Sequence, residues 1–383
     1  MSRTARRTSV KLNWKKYERK ASIRLQSTPK KKKLKVARSN NQITLGITAL
    51  FFLIALILVG KLFGFLGGLN TTITKNNQPK LYSWDGQSQF NLVVKMKDSY
   101  LLSYQPEGKE LTVIKFPEDI HLNVPYDFGR WPMRSIYDLG QSESIPMGPQ
   151  LLRDSINRSF DILADGYLIF NNGDGKLSDL LQKERGSLLP GVDILASAKT
   201  DLNLIEFFKI WWAIKEVRED KISSIDLEKS DLTEWLLLPD GSRVIALDEI
   251  KIDRFEEGHF ETGQIKKDGQ TIGIFNATEV PGLAEQAAKL LTNMGARVIF
   301  TANAPEKVDK SIILAKHSYT TKYLTEKLNL SCPQKKLVSF WQNIPLPGLG
   351  KGGDCVLDNV SLDTTRADIT IILGEDTFLK YQK

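Results

Sequence analysis

The chain has only two cysteines among 383 residues, Cys332 and Cys355, and three histidines, His121, His259 and His317. These five are widely scattered, and no pair has the short spacing that holds a zinc ion, so a zinc-organised fold is excluded. Also missing are the glycine-rich phosphate loop ending in Lys-Ser/Thr, the Gly-x-Gly-x-x-Gly turn of dinucleotide binding, the Gly-x-Ser-x-Gly nucleophile elbow and His-Glu-x-x-His. Nucleotide-driven, serine-hydrolase and metalloprotease chemistries lose their usual marks. Gly348 to Gly353 is glycine-rich and basic, but it neither follows a clear strand nor opens a helix, and it reads as a loop.

Acid is nearly absent from the first 42 residues. They carry 15 Lys or Arg against Glu18 alone, which is +14; the whole chain is +8, so the remainder is −6. Beyond Trp14 and Tyr17 this stretch lacks interleaved aromatics and shows no nucleic-acid motif, so nucleic acid is not an expected partner. Charge is then missing altogether from Ile43 to Gly60, ITLGITALFFLIALILVG. A bilayer core takes about 20 mainly apolar residues as helix, and the run continues past Lys61 to Leu66. A cleaved signal peptide has an apolar core of about 7–15 residues behind a short basic region, so an uncleaved signal-anchor is expected at 43–66. Basic residues stay in the cytoplasm, which places 1–42 inside and the rest outside, with Lys30 to Arg38 drawn to anionic membrane lipid. Gly60, Gly64 and Gly68 stand four apart, a spacing that lets two membrane helices approach and makes a homodimer possible. Outside the cytoplasm Cys332 and Cys355 can pair, and the sequence leaves that pairing open.

Asn70 to Lys80 is polar and turn-rich, a stalk over 70–80. A first domain is expected over 81–255. Strands are predicted at Phe90–Lys95, Ser99–Tyr104 and Leu111–Phe116, helices at Trp131–Leu139, Pro146–Phe160 and Leu202–Val217, and a strand at Gly166–Phe170. Leu202–Val217 is apolar on more than one face and is expected between layers. Asp231 to Phe260 reads as strand with a turn at Pro239-Asp240-Gly241, and Glu261 to Gln270 as a linker. Over 270–378 strands and helices alternate: strand 271–276, helix 281–294, strands 297–301 and 311–315, helix 320–328, strand 367–373. The fold class is α/β: one transmembrane helix followed by two extracytoplasmic α/β domains.

The run IGIFNATEVPGLAEQAAKLLTNMGARVIFTANA, with the later ADITIILGED, resembles the C-terminal domain of the LytR family (LytR_C). Asn276, Thr278, Gly282, Leu283, Ala284, Gly295, Leu373 and Gly374 fall on its pattern, while Ala277 replaces the usual Gly. The stretch KMKDSYLLSYQPEGKELTVIKFPEDIHLNVP is similar to the start of the LytR–CpsA–Psr catalytic domain. That resemblance implies transfer of a glycopolymer from a polyprenyl pyrophosphate to peptidoglycan. Such chemistry uses guanidinium groups on the two phosphates and carboxylates placing a divalent ion, magnesium in the usual case. Asp98, Asp119 and Arg134 are the surviving candidates. Met96 stands where the family has Arg, and Glu118 reverses the charge of the Arg in Pro-Arg-Asp. Lys115, Arg130, Arg153 and Arg158 are possible replacement cations. The expected role is therefore a cell-envelope protein that binds or organises glycopolymer without catalysis and without a cofactor. The alternative is an active transferase with relocated phosphate-binding residues and magnesium.

Overall fold

The computed structural model describes residues 82–170, 177–186, 194, 197–331 and 366–377. The basic segment 1–42, the apolar run 43–66, the stalk 70–80 and both cysteines lie outside the described residues. Among the described residues no helix is long and apolar enough to cross a membrane.

Two-residue alternation organises the first sheet. β1 (Phe90–Lys95), β2 (Ser99–Gln105) and β3 (Glu110–Phe116) form an antiparallel meander with Phe90 opposite Tyr104 and Ser99 opposite Phe116. Leu92, Val94, Leu102 and Val113 enter one apolar cluster, and Val93, Leu101 and Ile114 enter another. Both faces are thus covered, which explains the nearly unbroken apolar strands. β6 (Gly166–Phe170) joins β1 in parallel and pairs with β7 (Ala198–Thr200). β8 (Ile222–Asp226) joins β3 in parallel, giving the order β7-β6-β1-β2-β3-β8.

On one face lie α1 (Met133–Gln141) and α2 (Gly148–Ser159), which bury Ile136, Leu151, Leu152 and Ile156. The helix expected from Trp131 begins later. Pro132 is extended (φ −67°, ψ 142°), and Gly129–Pro132 instead forms β5, paired with β4 (Ile120–Val124). β4 continues into a second sheet, β5-β4-β10-β9, where β9 (Thr233–Leu237) and β10 (Arg243–Leu247) flank the expected turn. The strand pattern expected to run to Phe260 stops at Leu247. Asp248 accepts the backbone N–H of Lys251 at 3.2 Å and caps α5 (Glu249–Glu256).

The other face carries α3 (Leu177–Gly186) and α4 (Leu204–Lys215), the latter capped by Asn203, whose side chain accepts the Glu206 N–H at 2.8 Å. α4 is not enclosed between layers as its composition suggests. Leu204, Phe207, Ile210 and Trp211 point inward, whereas Ile205 and Trp212 are 70% and 60% exposed. The expected linker is likewise ordered: α6 (Gly263–Asp268) ends at Gly269 (φ +63°) and buries Ile265.

A third sheet follows in the order β12-β11-β14-β13, made of β11 (Thr271–Asn276), β12 (Arg297–Asn303), β13 (Ile312–Ala315) and β14 (Ile369–Leu373). α7 (Leu283–Asn293) crosses between the parallel strands β11 and β12 on its stripe Leu283, Ala287, Leu290 and Leu291, and α8 (Tyr319–Lys327) follows β13. One apolar cluster runs from Leu92 and Leu102 through Ile265 to Ile272 and Leu290. A buried ion pair, Asp165 with Lys327, also joins the first sheet to α8.

Candidate functional site

Strand register builds one polar row. Lys115 on β3 lies opposite Tyr100 of β2 on one side and Asp226 of β8 on the other. Asp98 sits in the tight β1–β2 turn, where its carbonyl accepts the Met96 N–H at 2.9 Å. The Lys115 ammonium is 3.5 Å from Asp98 Oδ2 and 3.9 Å from Asp226 Oδ2, and the Tyr100 hydroxyl donates to Asp98 Oδ2 at 3.3 Å. Burial, then the Asp98 charge, raises the Tyr100 pKa. These groups line a cavity of about 910 Å³ with Lys215, Glu219 and Lys229.

The cavity floor adjoins an apolar slot. Leu92, Val94 and Leu168 of the sheet face Leu181 of α3 and Phe207, Ile210 and Trp211 of α4 around about 70 Å³. Leu177, Leu181 and Lys215 line both spaces. At the junction the Lys215 ammonium lies 4.8 Å from the centre of the Trp211 ring, and the Trp211 indole N–H donates to Glu184 at 3.2 Å. The site is therefore an apolar slot beside a cavity lined by three lysines, Lys115, Lys215 and Lys229, and three carboxylates, Asp98, Glu219 and Asp226.

Of the residues expected to act, Asp98 lines this cavity, while Asp119 and Arg134 do not. They form an ion pair with each other and are largely exposed. Glu118 is exposed and takes no part in the cavity wall; its carbonyl accepts the Arg134 N–H at 3.1 Å. Arg153 bonds Asp154 at 2.9 Å and Asp201 at 3.4 Å; burial works against its charge, but the two carboxylates raise its pKa. Arg130 and Arg158 line a different cavity of about 320 Å³ with His121 and Lys289. Asp226, Lys215, Glu219 and Lys229 were not legible, because only β8 pairing and the α4 docking bring them beside Asp98.

A divalent ion does not fit these donors as they stand. Asp98 and Asp226 flank Lys115, and its ammonium already faces both, at 3.5 and 3.9 Å. Elsewhere Asp161, Asp253 and Glu256 place carboxylate oxygens within 4.8 Å of one another. There too an ammonium supplies the cation: Lys289 bonds Asp161 at 2.5 Å and Asp253 at 2.6 Å. Glu256 is buried and accepts from Asn293 at 2.7 Å; burial pushes its pKa up to about 8.

The motif positions of the third sheet serve its loops. Asn276 Oδ1 accepts from the Thr278 N–H at 3.0 Å and hydroxyl at 2.8 Å, while its amide donates to the Val280 carbonyl at 2.8 Å. Gly282 (φ +76°) turns the chain into α7 and Gly295 (φ +91°) turns it into β12, both in the left-handed region that suits glycine. Gly374 packs against backbone; a Cβ there would stand 2.5 Å from the Lys310 carbonyl carbon.

Three solved structures are similar to this chain: TagT bound to LIIa-WTA, at 12% identity and a TM-score of 0.37, over 48% of this chain and 96% of that one; TagV of B. subtilis, at 12% and 0.35, over 45% and 98%; and the LytR-CPS2A-psr family protein TagT with bound octaprenyl pyrophosphate lipid, at 12% and 0.32, over 48% and 94%. No curated protein matches. Residues 270–376 match the family model described as LytR cell envelope-related transcriptional attenuator, LytR_C.

Proposed function

We propose that this is a single-pass, membrane-anchored protein of the cell envelope that holds a polyprenyl-linked glycan by its pyrophosphate and the start of its tail, without transferring it. The observation that carries this reading is the continuity of the apolar slot with the three-lysine cavity. An anionic head above an apolar chain matches that pairing. The slot lies between α3, α4 and the sheet, and a prenyl chain would run along these apolar walls. The apolar run 43–60 behind a +14 tail supports the location beside such lipids.

Binding is favoured over transfer by what surrounds the anion. The lysines are compact point charges and do not offer the forked, two-point grip of a guanidinium on phosphate. Asp98 is engaged by Lys115 and Tyr100, so it is not set out as a metal ligand. The transferase reading keeps one point in its favour, that Asp98 and three cations share one cavity.

The test is an assay of the full chain with a polyprenyl-pyrophosphate glycan, peptidoglycan and magnesium, reading both lipid retention and polymer transfer. Retention without transfer is expected, with affinity lost at least tenfold in Leu181→Asp, since a carboxylate in the slot meets apolar walls. Transfer that disappears in Asp98→Ala would replace this reading with catalysis. Retention unchanged by Leu181→Asp would remove the slot from the account.

A further inference from the structure

α4 has two apolar faces, and only one of them is used by the core. Leu204, Phe207, Ile210 and Trp211 pack inward. Ile205, Phe208 and Trp212, spaced by three and four residues, fall on one stripe of the opposite side and stand in solvent at 70%, 37% and 60% exposure. Three large apolar side chains in one exposed stripe, on the helix that walls the slot, call for an occupant.

From this stripe we infer that α4 is a membrane-docking helix, which lies on the outer leaflet with Ile205, Phe208 and Trp212 in the headgroup–acyl boundary. The inference rests on the membrane-anchored reading and goes beyond it, because an anchor alone leaves the exported part free of the surface. Three observations select lipid as the occupant. First, Trp84, which follows the apolar run 43–60 by only 24 residues in sequence, is bonded to this same helix. The Trp84 N–H donates to Glu206 at 3.0 Å, and the Lys209 ammonium donates to the Trp84 carbonyl at 3.1 Å. Second, Lys209 borders the stripe, and the exposed carboxylate within it, Glu216, is paired with Lys109 at 2.7 Å, so the face turns no uncompensated acid toward anionic headgroups. Third, Trp212 has the two-ended character of an interfacial tryptophan. Its indole N–H is satisfied by Glu216 at 2.6 Å, while the ring stays exposed.

Docking at this helix also gives the slot a direct source of ligand. The inner face of α4 lines the apolar slot and its outer face would touch the leaflet, so a lipid tail moves from bilayer to slot without crossing water.

The test uses the full chain in vesicles of phosphatidylcholine and phosphatidylglycerol with brominated acyl chains, which quench tryptophan only at bilayer depth. Trp14→Phe serves as the background, because Trp14 lies in the basic tail. The docked arrangement predicts quenching in this background that is lost on adding Trp212→Phe and reduced by Ile205→Ser with Phe208→Ser. All three positions are exposed, and circular dichroism of each variant should match the parent. If the chain floats with the vesicles and Trp212→Phe leaves quenching unchanged, docking is wrong and the anchor stands. If the chain does not float with them, the anchor reading itself fails and takes this inference with it. A dimer in detergent that Ile205→Ser with Phe208→Ser converts to a monomer, with no bromolipid quenching, would assign the face to a second copy and overturn lipid docking.

Discussion

Replacing Lys327 by Met leaves a carboxylate buried without its cation. The Lys327 side chain is 6% exposed and that of Asp165 is 0%. Removing one partner of such a pair costs about 3–5 kcal/mol, because the remaining charge keeps its desolvation penalty. Asp165 retains one bond, from the Asn91 N–H at 2.8 Å, which sets the expected loss near the lower end. Lys327 also gives up its position 4.9 Å from the Tyr82 ring centre, which adds about 0.5–2 kcal/mol at most. At about 2–4 °C per kcal/mol, the combined loss of about 3.5–5 kcal/mol should lower the melting midpoint by roughly 7–20 °C. Asp165→Asn in the same background removes the stranded charge while its amide oxygen still accepts from Asn91. The double variant should therefore recover about 2 kcal/mol, a coupling that a double-mutant cycle measures directly. The assay is urea unfolding of the full chain in detergent, followed by circular dichroism. A loss below about 1 kcal/mol, or two strictly additive substitutions, would show that the pair behaves as an exposed one and does not fasten α8 to the first sheet.

Two further outcomes follow from the charged clusters. Glu256 titrates near 8 in the fold, chiefly through burial, against about 4.3 in the unfolded chain. The folded state holds the extra proton between those values, so stability should fall as pH rises from about 4.5 to 8 and then level off. Glu256→Gln keeps an acceptor for Asn293 and should flatten that slope, leaving the variant the more stable form above pH ~8; an unchanged slope in thermal melts across this range would place the titration elsewhere. Asp119→Ala breaks an exposed ion pair with Arg134, so it should cost no more than about 1 kcal/mol and leave lipid retention intact. Loss of retention in this variant would return Asp119 to the binding site.

Much of the strand and helix order was legible, because period-two and period-3.6 patterns survive wherever an element is covered on a regular face. β1 to β3 and the β11–α7–β12 unit are such cases. Three failures share a cause, the local residue that overrides the pattern. Pro132 held extended delayed α1, Asp248 capped a helix where apolar alternation suggested strand, and Gly269 closed a helix inside a polar stretch that reads as a linker. β8 (ISSID) is short and half polar, and it becomes a strand by pairing with β3. The site was legible only through Asp98 and, as a replacement cation, Lys115. Asp226, Lys215 and Lys229 join them across about 100 residues of sequence or more through strand register and helix docking, and no spacing along the chain encodes that meeting. The all-round apolar character of α4 was visible, but it marked an exposed second face where an enclosed helix was expected.

Photolabelling addresses the lipid slot most directly. The full chain would be irradiated with a prenyl pyrophosphate carrying a diazirine near its head, and the labelled peptides mapped. The account predicts labels on Leu177–Gly186 and Leu204–Lys215, displaced by unlabelled prenyl pyrophosphate and lost in Leu181→Asp. Labels confined to other elements, or labels on these helices that excess ligand does not displace, would contradict it.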